Sequence, residues 1–455
     1  MNPLDHSQSP TADSPRESCD LLIEAGHVVP VQPHAVVLED HAVAVRDGVI
    51  VAVSPCAQAH ARFAAREVVS RPHAALIPGL VNAHTHNPMT LLRGVADDLP
   101  LMTWLREHIW PVEAAVMGPE FVADGATLAI AEMLRGGTTC ANENYFFTDV
   151  QAAVYKKHGF RARVGAVIVD FPSAWAKSDD EYFARAGELH DQWRDDPLIG
   201  MAFAPHAPYT VSDANFERVR VLSDQLDVPV NLHTHETAQE IVDSLKLHGQ
   251  RPLARLEGLG LVNDRLIAVH MTQLTDAEIR LCAERGVHVA HCPESNLKLA
   301  SGFCPANALL RAGVNLAIGT DGCASNNDLD MFGEIRTAAM LAKAVANDAT
   351  ALDAAAVLRA ATLGGARALG WGEKIGSIEP GKQADLVCVD LSALESQPLH
   401  NVLSQLVYAT GRHQVSDVWI AGQPRLVQRE LVGMDVAAIT ANAWQWRERI
   451  RSVRG

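Results

Sequence analysis

Short apolar runs alternate with amphipathic stretches through the middle of the chain. Eight apolar runs can be counted, and segments with apolar positions at helical spacing, such as FVADGATLAIAEMLRGG, separate most of them. This alternation is typical of βαβ units and a parallel sheet, and eight units in succession predict a (β/α)8 TIM barrel. The predicted strands lie in ALIPGLVNAHTH, GTTCANENYF, ARVGAVIVD, IGMAFAPHAP, VPVNLHTHE, RLIAVHMTQL, GVHVAHCPES and VNLAIGTDG.

The two ends of the chain have a different sequence pattern, in which turn residues interrupt short apolar runs. We predict that residues 19–72 and 373–430 form one small composite β-sandwich beside a barrel of residues 73–372. Two unrelated edge hairpins are the alternative. The polar composition of residues 1–18 indicates a disordered tail. Residues 431–455 are predicted to form a C-terminal helical segment.

The charge and cysteine content of the chain limit the classes of molecule that it is expected to bind and the compartment in which it is expected to work. The chain has 38 basic and 54 acidic residues among 455, which gives a net charge of −16. A chain with this much negative charge repels the phosphate backbone of nucleic acids and the surface of anionic lipids. We therefore expect a small-molecule substrate, no nucleic acid and no membrane. Eight scattered cysteines without a C-x-x-C pair, and a start without signal-peptide features, favour the cytoplasm. The oligomeric state is left open, and a homo-oligomer is one alternative.

Polar residues gather where the predicted strands end. In a (β/α)8 barrel the carboxyl ends of the strands converge on one face, where active sites lie. Because burying so many polar side chains without a purpose would cost free energy, these positions indicate a functional site. In chain order they are His84 and His86, Asn142 and Glu143, Asp170, His206, His233 and Glu236, His270, His291, and Asp321.

His84 and His86 form an H-x-H pair at the end of the first predicted strand. Alternation along an extended chain places both imidazoles on one face, where they can share an ion. With His233 and Asp321 they make up three imidazoles and a carboxylate, a set that suits a borderline-soft divalent ion. We predict Zn²⁺, with Fe²⁺ and Mn²⁺ as alternatives, and a coordination position left for water.

These motifs resemble the amidohydrolase superfamily over nearly the whole chain. The matching pieces are PGLVNAHTH (78–86), HTHET (233–237), the strand-end His270, HCPESNLKLASG (291–302), GTDG (319–322) and GSIEPGKQADLVCVD (376–390). The resemblance implies four metal ligands, which are His84, His86, His233 and Asp321. The family spacing His-x-x-Glu selects His233 over His235, and it leaves His235 and His291 as neighbours of the ligands.

The resemblance also implies a reaction. Many members hold two ions bridged by a lysine of the fourth strand, but this chain has His206 there, which favours one ion per chain. The one-metal branch includes deaminases of nucleosides and bases. By this resemblance Glu236 shuttles protons to the ring nitrogen and the leaving amine. His270 polarises the attacking water, and Asp321 orients that water and takes its proton.

The loop at 87–116 resembles the 5-methylthioadenosine/S-adenosylhomocysteine deaminase subgroup. That likeness implies that Glu113 contacts the ribose hydroxyls and that His206 also contacts the nucleoside, with Glu236 and Asp321 touching the base. Apolar residues of the loop would wall a thioether pocket; they are Leu101, Met102, Trp104, Ile109 and Trp110. The expected activity is zinc-dependent deamination of 5′-methylthioadenosine, S-adenosylhomocysteine or adenosine to the inosine analogue and ammonia.

Three matters stay open. Some members bind the homocysteine carboxylate with an arginine at the end of the third strand, where this chain has Ala166 or a neighbour, with Arg163 close by. The resemblance therefore implies a nucleoside substrate and leaves S-adenosylhomocysteine and the preferred 5′ substituent as alternatives. The alternative enzymes are a guanine-type deaminase and a triazine hydrolase. A non-catalytic scaffold is disfavoured, because every expected ligand is present.

Overall fold

The computed structural model describes residues 16–454 and contains two eight-stranded sheets. Most of the predicted tail lies outside the described residues, but the first strand already begins at Glu17, inside its predicted bounds. The strands are β1 (Glu17–Val28), β2 (Leu38–Arg46), β3 (Val49–Pro55), β4 (Phe63–Pro78), β5 (Leu80–Thr85), β6 (Thr138–Asn144), β7 (Arg161–Ile168), β8 (Ile199–Pro205), β9 (Val230–Thr234), β10 (Leu266–His270), β11 (His288–His291), β12 (Asn315–Ile318), β13 (Leu386–Asp390), β14 (Val415–Ile420), β15 (Gln423–Val427) and β16 (Glu430–Leu431).

Strands β5 to β12 form the barrel. Each pairs in parallel with the next in chain order, which confirms the predicted (β/α)8 fold. Between β12 and β5 the backbone N–H of Asp321 donates to the carbonyl of His84 at 3.0 Å, so the last strand end meets the first. Gly319 permits this approach, because a Cβ there would lie 2.8 Å from the backbone nitrogen of His84.

The second sheet is mixed and draws strands from both ends of the chain, as predicted. Its order is β16-β15-β14-β13-β4-β1-β2-β3, so β13 is hydrogen-bonded to β4 with Leu386 opposite Pro78. The two halves form one continuous sheet, and a bridge between Val49 and Gln383 brings the β2–β3 hairpin back against the segment that leads to β13. β4 runs from Phe63 to Pro78, across the predicted boundary at residue 72, and delivers the chain directly into β5.

Helices cover the barrel between its strands. Three consecutive segments, the middle one a π-helix (Trp104–Ile109), form a continuous helical stretch Leu101–Val116, which we call the wall helix. The α-helices are α1 (Cys56–Arg62), α2 (Leu101–Thr103), α3 (Trp110–Val116), α4 (Pro119–Arg135), α5 (Thr148–His158), α6 (Asp179–Trp193), α7 (Asp213–Leu226), α8 (Ala238–His248), α9 (Pro252–Gly258), α10 (Asp276–Arg285), α11 (Pro293–Lys298), α12 (Ala306–Arg311), α13 (Cys323–Asn326), α14 (Met331–Ala346), α15 (Ala354–Arg359), α16 (Gly365–Ala368), α17 (Val402–Tyr408) and α18 (Val436–Arg454).

The last helix, α18, lies against the outside of the wall helix and α4. Its two buried residues, Trp446 and Ile450, share one apolar cluster with Trp104, Ile109 and other wall-helix residues. The Trp446 indole also donates to Asp124 of α4 at 2.8 Å. The chain's final helix therefore supports the part of the barrel mouth that the 87–116 loop builds.

Two further observations bear on the class of protein. Among residues 16–454, no single helix is long and apolar enough to cross a membrane; α4 and the wall helix pass that test only as a pair bent by 112°. All eight cysteines are free thiols, and seven of them are buried.

Candidate active site

Four of the predicted residues come together at the carboxyl end of the barrel. His84 is the penultimate residue of β5, His86 follows the strand, His233 lies in β9 and Asp321 follows β12. One nitrogen or oxygen from each lies within 4.8 Å of the others. His86 Nε2 is 3.3 Å from His233 Nε2 and 3.1 Å from Asp321 Oδ1. Two imidazole nitrogens and a carboxylate oxygen that converge so closely form a donor set that can hold a metal ion.

Bonds on the far side of the rings orient the imidazoles. His233 Nδ1 donates to the backbone carbonyl of His206 at 2.6 Å, and His86 Nδ1 donates to the carbonyl of Asn144. Each donation leaves Nε2 as the lone-pair nitrogen that a metal requires. His84 Nε2 is buried without a hydrogen-bond partner among the described residues, and it faces the same centre. An orphaned buried nitrogen is costly, and a bound ion would remove that cost.

The protonation of the cluster also suits a metal. Burial lowers the pKa of His84 to about 4 and that of His233 well below the usual value, so both are neutral near pH 7. Burial also opposes charge on His86, but Asp321 and the Asn144 carbonyl outweigh it and raise the His86 pKa to about 9. A proton on His86 must leave when an ion binds, so the affinity for metal should fall as the pH falls.

Asp321 is held as a carboxylate. Burial disfavours its charge, but the imidazoles beside Oδ1 outweigh burial and keep the pKa well below the usual value. Its other oxygen, Oδ2, accepts from Ser295 Oγ at 2.6 Å and Ser325 Oγ at 2.8 Å. Asp321 has φ of +61°, a strained backbone for a residue with a side chain. Oδ2 is therefore anchored, and Oδ1 is turned to the ligand cluster.

His270 and Glu236 stand beside the cluster. His270 Nδ1 donates to Asn296 Oδ1 at 2.8 Å, which leaves Nε2 as an acceptor 3.8 Å from Glu236 Oε2. Burial raises the pKa of Glu236 and so favours a carboxyl that holds a proton. His270 also has positive φ, at +73°. The pair places an imidazole nitrogen and a carboxyl group 3.8 Å apart at one side of the metal position.

Glu240, which the motifs did not single out, fixes the turn that carries Glu236. Its two carboxylate oxygens accept the backbone N–H groups of His235 at 3.0 Å and Glu236 at 2.7 Å. The hydroxyl of Thr272 donates to the Glu236 carbonyl at 2.6 Å. A glutamate one helical turn after His-x-x-Glu is the sequence signal for this support, and α8 begins between the two glutamates.

A cavity of about 770 Å³ opens above the cluster. Its floor is formed by buried polar residues, and the wall helix and the segment after β7 form apolar sides. Four of the five predicted pocket residues line it, while Met102 packs in the apolar cluster instead. The floor contributes His86, His206, His233, Glu236, His270 and Asp321; the sides include Leu101, Trp104, Ile109, Trp110, Val167, Val169 and Phe171.

Glu113 projects from the wall helix into this cavity. Its side chain is buried, and Tyr145 donates its hydroxyl to Glu113 Oε1. Burial raises the pKa of Glu113 to about 7, although Tyr145 acts in the opposite sense. Tyr145 itself lines the cavity and was missed in the sequence, where it follows the Asn-Glu-Asn run that ends β6. One oxygen of Glu113 is thus held, and the other is available to a ligand.

His206 lies between the cavity and the cluster. Its ring centroid is 5.1 Å from that of His233, and its Nδ1 is 3.0 Å from the Thr210 hydroxyl. Burial and the neighbouring histidines lower the pKa of His206 to about 4, so the ring is neutral. A neutral ring pinned at Nδ1 presents Nε2 to a ligand.

Other strand-end residues lie away from the cavity. His235 Nε2 accepts the backbone N–H of Leu253 at 3.0 Å, so its ring is used in packing α9. His291 is buried, does not line the cavity, and its carbonyl accepts from Gly319. Asp170 caps the start of α7 through Ser212 and Asn215.

The side chains of the two remaining polar strand-end residues form hydrogen bonds inside the barrel wall. Asn142 donates to the carbonyl of Ala83, and Glu143 accepts from the Asn87 backbone and the Tyr155 hydroxyl. Position at a strand end therefore does not by itself place a side chain in the cavity.

The residues near the expected arginine do not supply a cation to the cavity. Arg163 lies in the amino-terminal half of β7, donates to the Met201 carbonyl at 2.6 Å and covers the ring of Trp371. Ala166 is buried, and its neighbour Val167 contributes an apolar side chain to the cavity.

Comparisons with known proteins agree with this geometry. A model of the amidohydrolase family matches residues 75–425. A 5-methylthioadenosine/S-adenosylhomocysteine deaminase from Teredinibacter turnerae is 49% identical over 435 residues, which cover 96% of this chain and 98% of the relative. A crystal structure of an adenosine deaminase from Xanthomonas campestris with bound zinc is 83% identical, with a TM-score of 0.96, and covers 96% of this chain and 100% of that one.

An atrazine chlorohydrolase from Arthrobacter aurescens has the same fold at lower identity. It is 23% identical, with a TM-score of 0.87, and covers 94% of this chain and 100% of that one. That likeness concerns the fold alone. The family match spans most of the chain and includes every strand of the barrel together with the four clustered ligands. The chain belongs to the amidohydrolase family.

Proposed function

We propose that this protein is a zinc-dependent deaminase of adenine nucleosides, with 5′-methylthioadenosine and S-adenosylhomocysteine as substrates and adenosine as a third. The observation that carries the proposal is one cavity that joins the ligand cluster, Glu236 with a pKa that burial raises, and the buried Glu113. The names of the relatives that are 40–49% identical over most of the chain support the substrate class.

The donor set fits one zinc ion, held by His84, His86, His233 and Asp321. When bound, zinc would lower the pKa of water to near neutrality and so supply a nucleophile. The overall change adds the oxygen of water to C6 of the purine and breaks the C6–N bond, with ammonia as the leaving group. The protein's task is to move two protons and to hold the ring in place.

Glu236 is proposed as the proton shuttle. Its raised pKa lets the carboxyl donate to the ring nitrogen beside C6 and then, after it regains a proton from the attacking water, to the departing amine. His270 Nε2, the acceptor nitrogen, orients that water. Asp321 accepts the other proton of the water through Oδ1, since Oδ2 is occupied by two serine hydroxyls, and the return of that proton to Glu236 completes the cycle.

Glu113 and His206 are proposed to bind the nucleoside. The free oxygen of Glu113 accepts from the ribose hydroxyls, and Tyr145 keeps the carboxylate turned to them. The apolar sides of the cavity would cover the 5′ thioether. A base without ribose makes no use of Glu113, which is why a free-base deaminase or a triazine hydrolase is the weaker assignment.

Ammonia release tests the proposal. Metal-analysed protein is assayed with 5′-methylthioadenosine, S-adenosylhomocysteine, adenosine, adenine, guanine and a chlorotriazine. We expect turnover of the nucleosides at kcat/KM values at least about a hundredfold above those of the free bases, as two lost charge-assisted hydrogen bonds imply. Preferred turnover of guanine or the triazine would instead assign one of the alternative activities.

We also propose a cytoplasmic location. Eight free thiols, seven of them buried, suit a reducing compartment. Cell fractionation with an antibody checks it, and recovery of the protein outside the cytoplasmic fraction would contradict it.

A further inference from the structure

Glu334 is a buried carboxyl group that has no part in the proposed reaction. It lies in the first turn of α14 and is 0% exposed. Arg412 pairs with Asp328 and Asp330 just before this helix, and Glu334 itself has no ion-pair partner among residues 16–454. Burying a carboxyl group without a cation costs free energy, so the hydrogen bonds that its oxygens accept indicate what the group does.

Both oxygens of Glu334 accept from segments that lead to Asp321. Oε2 accepts the backbone N–H of Glu294, in the first turn of α11, at 3.2 Å. Oε1 accepts from Nδ2 of Asn326, the last residue of α13, and the same Nδ2 donates to the Thr320 carbonyl at 2.8 Å. The carboxyl group therefore connects α14 to α11, to α13 and, through one amide, to the segment that follows β12.

Every group in this network is the direct chain neighbour of a residue at the Asp321 carboxylate. The neighbouring pairs are Glu294 and Ser295, Asn326 and Ser325, and Thr320 and Asp321. We call Ser295 and Ser325 the serine pair, since both hydroxyls donate to Asp321 Oδ2. Asp321 also has positive φ, so the local backbone does not by itself favour this orientation of the side chain. A displacement of either serine would turn Oδ1 away from the ligand cluster.

We propose that Glu334 positions Asp321 for metal binding by holding the two segments that carry the serine pair. The inference rests on the proposed function and deepens it, because it adds a positioning residue to the zinc site. Glu334 does not line the cavity and is not one of the four clustered ligands. It acts on the ion only through α11, α13 and the Asp321 carboxylate.

Glu334→Gln tests the proposal with little change in side-chain size. Its amide nitrogen cannot accept a hydrogen bond, so one of the two connections is lost whichever way the amide is placed. The affinity for zinc should fall by about tenfold, the lower end of the range for groups that hold metal ligands. Metal content at a series of buffered free zinc concentrations measures it. In zinc-loaded protein kcat should fall by a similar factor, with KM changed by less than about twofold.

Thr337→Val is the matched control. The Thr337 hydroxyl also joins α14 to α11, but it donates at 2.7 Å to the side chain of Glu294 and not to the backbone beside Ser295. This variant should lower Tm and leave zinc affinity and kcat unchanged. If Glu334→Gln likewise lowered Tm without a change in zinc affinity, the carboxyl group would serve folding alone and the proposal would be overturned.

A double-mutant cycle tests the connection itself. Asn326 is only half-buried, so Asn326→Ala can be made without emptying the core, and it should weaken zinc binding in the natural protein. Glu334→Met removes both connections at the other end. The loss from Asn326→Ala should therefore be smaller in the Glu334→Met background, because one of its bonds is already missing. Equal losses in the two backgrounds would overturn the proposal.

Zinc affinity is measured without a substrate, so this proposal and the proposed function can fail separately. A natural protein that binds zinc but releases no ammonia from any nucleoside would contradict the proposed function. The zinc affinities of the Glu334 and Asn326 variants would still decide the role of Glu334.

Discussion

The two ends of the barrel bury charged side chains in opposite ways. At the amino end of β7, Arg161 is 1% exposed and donates from Nε and Nη2 to Asp385 at 2.7 and 3.0 Å, and Asp385 also accepts from the backbone of Ala421. At the carboxyl end, His84 Nε2 has no hydrogen-bond partner among residues 16–454, and Asp321 and His270 beside it have positive φ. Burial alone therefore does not mark a site; an unsatisfied buried nitrogen next to strained backbone positions does.

The largest effect should come from removing a metal ligand at the carboxyl end of the barrel. Replacing Asp321 or His84 by Ala removes a ligand, so metal content should fall from about one ion per chain towards none, and turnover should be abolished. Elemental analysis and ammonia release measure the two quantities on the same samples. Two tightly held ions per natural chain, both needed for turnover, would contradict the single site.

Glu236→Gln should separate metal binding from proton transfer. The amide keeps the shape but cannot shuttle a proton, so kcat should fall by roughly 10²- to 10⁴-fold while the metal stays bound. Steady-state kinetics with metal analysis checks this. Ser301, whose hydroxyl is 3.4 Å from Glu236 Oε1, offers a milder control as Ser301→Ala. Loss of metal with normal turnover in the loaded fraction would make Glu236 a ligand.

A substitution at the amino end of the barrel should lower the stability of the protein and leave its catalytic rate unchanged. Arg161→Met leaves Asp385 buried beside a missing cation, which should cost about 3–5 kcal/mol of folding free energy. We expect a lower Tm and an unchanged kcat per folded, metal-loaded molecule. The double variant Arg161→Met with Asp385→Leu should recover part of the loss. A fall in kcat without a fall in Tm would mean that the two ends are functionally coupled.

Glu113 should give the smallest effect of the four. Glu113→Ala should lower kcat/KM for 5′-methylthioadenosine and adenosine by at least about tenfold and barely affect residual activity on adenine. Because burial raises the pKa of this carboxyl to about 7, its protonation at lower pH should also weaken nucleoside binding. Glu113→Gln still accepts a hydrogen bond, so its kcat/KM should fall less than that of Glu113→Ala. Because the amide does not titrate near pH 7, the decrease in nucleoside binding at lower pH should be smaller in this variant. Equal losses on nucleoside and free base would assign Glu113 to general support of the mouth.

The periodicity of apolar residues was enough to predict the barrel and the sheet shared by both ends of the chain. Both follow from repeated local patterns and from which residues are buried. The resemblance to the amidohydrolase family, and not periodicity, selected His233 over His235; His233 joins the cluster, whereas His235 Nε2 accepts from the Leu253 backbone. Strand-end position misled in one respect: Glu143 and Asp170 are polar strand-end residues that hold loops and helix starts instead of facing the cavity.

The residues that sequence reasoning missed act across large separations. Tyr145 meets Glu113, and Ser295 meets Asp321, only after the strands are arranged around the barrel. No periodicity in the sequence records contacts of this kind, so they require the three-dimensional arrangement.

The pairing of β4 with β13 has a consequence for how the chain is made. On the ribosome β4 and its barrel strand emerge early, but the hydrogen-bonding edge that β13 will cover stays open while more than half of the chain is synthesised. An unpaired strand edge is a site for association with other chains, and contacts this distant in sequence form slowly. The support that α18 gives the wall helix arrives later still, with the last residues translated.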